Sequence, residues 1–260
     1  MSDSKTARVI VEHPRPSIAV IRMNRPEKYN AIDAGLLAEL LEATVAINDD
    51  HQIRAVVLSG TAKAFAAGAD ITEYVGQSPE QLRAFTTQAN RVADAIHGLR
   101  VPVIAAVTGV ALGGGCEIAL ACDLIHMGES AQLGLPELSL GLIPGWGGTQ
   151  RLPALIGRAQ AFRIIAFGER ITAAHALEMG IASRVDPDDL VVDKAIETAE
   201  RIAGLPELAV AALRRSLRSA TPMPAEGFAH EQRELLDLFD SADGREGVAA
   251  FVEKRPARFA

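Results

Sequence analysis

The chain has 260 residues, 48% of them apolar and 23% charged, with a formal net charge of −7. That is enough apolar material for one large core, alone or with a smaller appendage, and the acidic balance argues against nucleic acid as a partner. Overall acidity leaves room for a polyanionic small ligand, because a few local Lys and Arg side chains suffice to hold phosphates.

The longest apolar run, Leu208 to Leu213, falls far short of the roughly 20 residues of a membrane span. Met1 to Val9 contain no apolar core segment, so no secretory signal and a reduced, cytoplasmic setting are expected. Cys116 and Cys122 form no CxxC pair and the six histidines no HExxH, so neither a disulfide nor a metal site is expected.

In chain order, Val9 to Val11 and Ile18 to Ile21 read as short strands, joined by a turn over His13-Pro14-Arg15-Pro16. Asp33 is a good N-cap for a helix over Ala34 to Ile47, with Leu36, Leu37, Leu40 and Leu41 on its apolar face. Arg54 to Gly60 is a strand apolar on both faces and therefore buried. Ser78 and Pro79 open a long helix to about His97. Val103 to Val107 is a second buried strand, a helix after Gly114 ends near Cys122 and carries both cysteines, and Leu124 to Met127 is a further strand. From Trp146 onward the pattern predicts helices over 146–156, 159–167, 173–179, 189–203, 207–219, 224–240 and 244–253, with a strand signal only at about Ser183 to Asp186. The expectation is an α/β core over residues 1–200 and a helical region over 201–260.

Four segments between these elements invite chemistry. Phe65-Ala66-Ala67-Gly68-Ala69-Asp70 and Gly109 to Glu117 each follow a buried strand, where α/β folds present ligand sites. Their small residues let backbone approach a ligand closely, and one N–H group from each would make an oxyanion hole; the same residues also suit tight turns and close helix packing. The triple glycine Gly113-Gly114-Gly115 fits neither GxGxxG nor GxxxxGK[ST], which disfavours dinucleotide and ATP sites, and no GxSxG nucleophile is present.

The third segment, Pro136 to Gly148, is an irregular glycine turn in which Gly145 has an N–H to offer and Trp146 is either core or pocket wall. The fourth, Asn24 to Asp33, is a loop with two cations, either a solvated connection or a rim that grips phosphate or adenine. Two glutamates complete the set. Glu117 and Glu137 stand in apolar context, where a carboxyl pKa rises towards neutrality and the group moves protons. Each is equally compatible with an ordinary role at a helix start.

Together these segments resemble the enoyl-CoA hydratase (crotonase) family over nearly the whole chain: Asn24 to Asp33, Ala64 to Asp70, Pro102 to Asp123, Leu135 to Leu152 and Ala249 to Arg255. The resemblance implies an α/β spiral of strand-strand-helix units, of the ClpP-like kind, with a helical C-terminal trimerisation region and a hexamer built as a dimer of trimers. It implies an oxyanion hole at the N–H groups of Ala69 and Gly114, acid–base work by Glu117 and Glu137, and a donor to the catalytic water at Gly145. Lys28, Ala31, Ala67, Gly68, Asp70, Ile71, Trp146, Phe251 and Lys254 fall at substrate and CoA positions, Lys254 reaching CoA from another subunit. No cofactor or metal is implied, since coenzyme A is part of the substrate.

The activity implied is reversible syn hydration of a trans-2-enoyl-CoA in fatty-acid or related acyl-CoA degradation. The alternatives are another reaction of the family, such as enoyl-CoA isomerisation or hydration of a specialised acyl-CoA, and an RNA-binding member. Retention of both glutamates favours hydration, and the acidic balance argues against RNA. Trp146 departs from the small residue common at its position, which implies a shortened or reshaped acyl pocket and short, medium or branched acyl groups.

Overall fold

The computed structural model describes residues 7–220 and 223–259; residues 1–6 of the N-terminal segment read above lie outside them. In chain order the elements are β1 (Val9–Arg15), β2 (Ile18–Met23), α1 (Ala34–Asp49), β3 (Ala55–Ser59), β4 (Ala64–Ala66), α2 (Pro79–Gly98), β5 (Val103–Val107), β6 (Val110–Leu112), α3 (Gly114–Leu120), β7 (Leu124–Gly128) and β8 (Gln132–Gly134). There follow α4 (Gly148–Ile156), α5 (Arg158–Phe167), β9 (Ile171–Thr172), α6 (Ala173–Glu178), β10 (Arg184–Asp186), α7 (Val191–Ala203), α8 (Glu207–Ala220), α9 (Ala225–Phe239) and α10 (Ala242–Val252).

Successive strands go to two different sheets. The larger sheet runs β1-β2-β3-β5-β7-β10, parallel except for the β1–β2 hairpin. The smaller runs β4-β6-β8-β9, parallel except at β8–β9. After the β1–β2 hairpin, the pairs β3/β4, β5/β6 and β7/β8 each lay one strand in each sheet before a helix, and the expected strand-strand-helix spiral is present.

The parallel strands are apolar on both faces because both faces are covered. Ala55 and Val57 of β3 and Ile104 and Ala106 of β5 pack with Val191, Ala195 and Ala199 of α7. The alternate residues Val56, Leu58, Val103 and Ala105 join the main core with Leu36 and Leu40 of α1 and Val92 and Ile96 of α2. Burying each of the Val, Leu and Ile side chains contributes about 1.5–3 kcal/mol. Asp33 caps α1 as expected, accepting from Leu36 N at 2.8 Å, and Ser78 with Gln81 forms a capping box on α2.

The sequence reading needs four corrections. β1 runs through Pro14 to Arg15, and the turn falls on Pro16 and Ser17; β1 is an edge strand with an irregularity between Glu12 and Arg15, where a proline costs no ladder bond. The entire smaller sheet went unread, including β9 beyond residue 146, because strands of two or three residues show no alternation. Helix α3 ends at Leu120, so Cys122 lies just past it. Helix α4 begins at Gly148 rather than at Trp146, since Gly147 has φ +102 and its N–H is taken by a side chain from elsewhere.

Candidate active site

Three loop segments meet at one cleft, each placed by a strand or helix end. The first leaves β4. Ile32 N donates to Gly68 O and Asp70 N to Ile32 O, both at 2.8 Å. These bonds fix the backbone on either side of Ala69, whose own N–H has no protein acceptor among the described residues. Gly68 has φ +107 and passes so close to Leu112 that a Cβ would lie 3.1 Å from its carbonyl oxygen.

The Asn24 to Asp33 loop is a clamp beneath this segment. Arg25 Nη1 donates to Asp70 Oδ2 and to Ala31 O, each at 2.8 Å. Asn30, buried and at φ +54, donates to Ala64 O and Phe65 O at 2.9 and 3.0 Å. Asp70 also accepts from Thr72 N and Oγ1. Its carboxylate is therefore occupied with the protein, and it does not line the cleft.

The second segment leaves β6. Gly113, at φ +48, donates its N–H to Gly134 O at 2.9 Å. Gly114 then starts α3 with a first-turn N–H that no intrahelical carbonyl reaches and that has no other acceptor among the described residues. Ala69 and Gly114 both line the cleft, which leaves two free backbone donors at its wall.

Glu117 sits in the first turn of α3, is 2% exposed, and does not cap its own helix. Its Oε1 accepts from Trp146 N at 2.7 Å and Gly148 N at 2.8 Å. Burial pushes its pKa well up, the charges of Glu137 and Glu231 add to this, and the two N–H donors oppose it. Glu137 opens the 3-10 turn Glu137–Leu140. Its Oε2 is buried without a hydrogen-bond partner, and burial pushes its pKa up to about 8. Glu117 and Glu137 line the same cleft, so the structure brings together the pair that sequence spacing leaves apart. An acid and a base of raised pKa then face two N–H groups able to hold a developing oxyanion.

The third segment, Pro144 to Thr149, carries Gly145 and Trp146 into the cleft wall. Trp146 is both core and pocket wall: it is 2% exposed, and its ring lies edge-on to Phe85 at 5.8 Å between centroids. Gly145 O accepts from Asn90 Nδ2 at 2.7 Å, and the Gly145 N–H has no protein acceptor among the described residues.

Of the other residues read from sequence, Ala67, Gly68, Ile71 and Phe251 line the cleft. Lys28 and Lys254 are exposed, Ala31 is half-buried, and none of the three lines it. The reading missed Tyr74, Leu142 and Leu235, which line the apolar end, and Asn90, Arg151 and Glu231, which hold the loop. Glu231, 2% exposed on α9, had no local signal: a lone glutamate among Gln, Arg and Glu reads as solvated surface. Helices α9 and α10 pack on the core of their own chain, so Leu235 and Phe251 close the cleft in cis. Among the described residues no group of acidic, His and Cys side chains has the makings of a metal site.

A spiral of this kind, with free backbone donors and raised carboxyls at one apolar cleft, has the makings of an acid–base enzyme. The chain belongs to the enoyl-CoA hydratase/isomerase family, whose model matches residues 14–260. It is 44% identical over 248 residues to a probable enoyl-CoA hydratase of Rhizobium meliloti (strain 1021), covering 93% of this chain and 94% of that protein. It is 40% identical over 244 residues to the mitochondrial enoyl-CoA hydratase of Pongo abelii, covering 94% of this chain and 83% of that one. Among solved structures, an enoyl-CoA hydratase from Bacillus anthracis matches with TM-score 0.80 and 38% identity, covering 97% of this chain and 98% of that chain.

Proposed function

We infer that the chain is an enoyl-CoA hydratase, adding water reversibly and syn across the double bond of a trans-2-enoyl-CoA to give a 3-hydroxyacyl-CoA. One observation carries the reading: buried Glu117 and half-buried Glu137, whose Oε2 is buried, share a cleft with two unpaired backbone N–H groups. An isomerase needs one well-placed base; two carboxyls supply the base and the acid that hydration needs at once.

The thioester oxygen binds the N–H groups of Ala69 and Gly114, which stabilise it most when it carries enolate charge. Glu117 is the base: the two N–H bonds on its Oε1 favour the carboxylate against the burial that raises it, and it takes a proton from water as the water oxygen bonds to C3. Glu137, with no donor on Oε2 and a pKa of about 8, holds a proton at neutral pH and delivers it to C2. The π electrons of the C2–C3 bond pass through the enolate into the new C2–H bond. One proton then returns from Glu117 to Glu137, so the pair titrates as a unit. Gly145 N–H steadies the water. The reaction calls on no metal and no redox cofactor, and coenzyme A enters with the substrate.

Lys28, exposed in the middle of the clamp loop, serves the adenine end of CoA, and Lys254, exposed just past α10, reaches the CoA of a neighbouring subunit. Exposed Phe162, Phe167, Leu208, Leu213 and Leu217 support burial in a homo-oligomer, here a hexamer built as a dimer of trimers. The setting is the cytoplasm and the pathway fatty-acid or related acyl-CoA degradation; among the described residues no helix is long and apolar enough to cross a membrane. The test is loss of the conjugated enoyl-thioester absorbance of crotonyl-CoA. Wild-type turnover that is severely cut in both Glu117→Gln and Glu137→Gln supports two-carboxyl hydration. Near-wild-type hydration by Glu117→Gln refutes it.

A further inference from the structure

The loop that presents Gly145 and Trp146 is gripped by two glutamates, and they divide its donors in strict alternation. Trp146 N and Gly148 N go to Glu117 Oε1 at 2.7 and 2.8 Å. Gly147 N goes to Glu231 Oε1 at 2.6 Å, and Thr149 N to Glu231 Oε2 at 2.8 Å. Thr149 Oγ1 donates to the same Oε2. Glu117 belongs to α3 and Glu231 to α9, so the four N–H groups preceding and opening α4 are held from opposite sides. The two glutamates hold one continuous run of backbone, so a shift of the N–H groups that Glu231 takes also moves those left for Glu117.

The seam around Glu231 is built to hold this arrangement. Arg151 Nη1 donates to Trp146 O at 2.7 Å, and its guanidinium stacks 5.0 Å from the centroid of the Phe228 ring of α9. Gly227 of α9 passes so close to α4 that a Cβ would stand 2.2 Å from Gln150 Oε1. Leu235, one turn beyond Glu231, lies where a Cβ on Gly145 would be, 2.0 Å away. The hydratase chemistry itself does not call on Glu231.

We propose that Glu231 is a positioning residue for the hydration: it sets the backbone of residues 146–149 so that Glu117 Oε1 is held by the right pair of N–H groups, and so makes turnover depend on docking of the C-terminal helix α9. This rests on the hydratase reading. The groups that face Glu231 are Arg151 of α4, itself paired with Asp94 of α2, and the carboxyls of Glu117 and Glu137. Burial pushes the Glu231 carboxyl up, while its three donors and Arg151 pull the other way. Its charge raises both Glu117 and Glu137, so the role carries a pH signature that a merely structural residue would not.

The experiment is steady-state hydration of crotonyl-CoA across pH by wild type, Glu231→Gln and Glu231→Asp, with thermal unfolding of each. Glutamine keeps one acceptor and loses the charge; aspartate keeps the charge and loses reach. Glu231→Gln is expected to lower kcat by roughly tenfold to a hundredfold, the scale of a small misplacement near the reacting groups, with KM nearly unchanged. Its alkaline limb moves to lower pH, because losing a nearby negative charge lets Glu137 give up its proton sooner. Glu231→Asp is expected to lower kcat while leaving that limb in place. Thr149→Val, which removes one donor and buries no charge, must also lower kcat at unchanged KM, and it decides the matter if Glu231→Gln does not fold. Unchanged kcat in the folded variants, or a rise in KM alone, overturns the proposal while wild type still hydrates. Absence of hydration by wild type overturns the hydratase reading instead.

Discussion

Gly114→Ala is the sharpest perturbation of the proposed oxyanion site. Gly114 needs no left-handed backbone, since its φ is not positive, so the substitution strains nothing locally. Its consequence is a collision: the new methyl would sit 2.0 Å from Trp146 Cζ3 and 2.3 Å from Cε3. An ordinary carbon–carbon contact is about 3.5 Å or more, so ring and helix must part by about 1.5 Å. The ring cannot simply retreat, with Phe85 edge-on behind it and its own backbone N–H bound to Glu117. Overpacking of this kind costs about 1–3 kcal/mol of stability. The larger effect is on the Gly114 N–H, which moves with its Cα; losing one oxyanion donor costs about 3–4 kcal/mol, or roughly a hundredfold to a thousandfold in kcat. Enoyl-thioester absorbance gives kcat and KM, and denaturant unfolding gives the stability change. Trp146→Phe relieves the collision, so the double variant Gly114→Ala/Trp146→Phe should recover part of the loss relative to Gly114→Ala, a coupling read directly from a double-mutant cycle. If Gly114→Ala keeps near-wild-type kcat, or if Trp146→Phe recovers nothing, the packing argument is wrong.

Other outcomes follow from the two carboxyls proposed to carry the hydration and from the cleft. Glu137 is raised to about 8 in the folded protein from an ordinary carboxylate value, so the native state binds the extra proton. Its contribution to stability is complete below the unfolded pKa and is lost as pH rises towards about 8. Glu137→Gln should therefore gain stability over wild type as pH rises from 5 to 8, by an amount on the order of a few kcal/mol; a pH-independent difference in denaturant unfolding would contradict the assigned burial. In its proposed role as proton donor, Glu137 should also give wild-type kcat an alkaline limb near pH 8, seen in a pH–rate profile. Glu117→Gln retains an oxygen for Trp146 N and Gly148 N, so its Tm should stay close to wild type while hydration collapses; a large fall in Tm would show that the charge, and not the base, is what matters there. Trp146, Phe85 and Tyr74 form one aromatic cluster at the cleft with Phe239, so kcat/KM should favour C4 over C16 enoyl-CoA, and a clear preference for C16 would refute the shortened pocket.

The sequence by itself determined the elements long enough to show a period. The parallel strands of the larger sheet were legible as uniformly apolar runs, because covering both faces removes any polar alternation. The helices from Ala34 onward were legible from their caps and apolar faces, and their ends moved by only a few residues. The glycines of Gly113 to Gly115 and of Gly145 to Gly148 marked the site because close backbone approach leaves no other choice of residue. What stayed hidden was whatever depends on contact between distant parts of the chain. The smaller sheet is made of strands of two or three residues, and pairing alone defines them. Glu117 and Glu137 became a pair only when the spiral laid their segments along one cleft. Asp70, at a position the resemblance gives to substrate, has its carboxylate held by Arg25 and Thr72. Glu231 carries no local signal in the sequence and is buried against the loop at the start of α4. Local sequence sets backbone propensity and burial, which act over a few residues; hydrogen-bond partners and desolvation are set by where the fold brings other segments, and only the tertiary structure decides that.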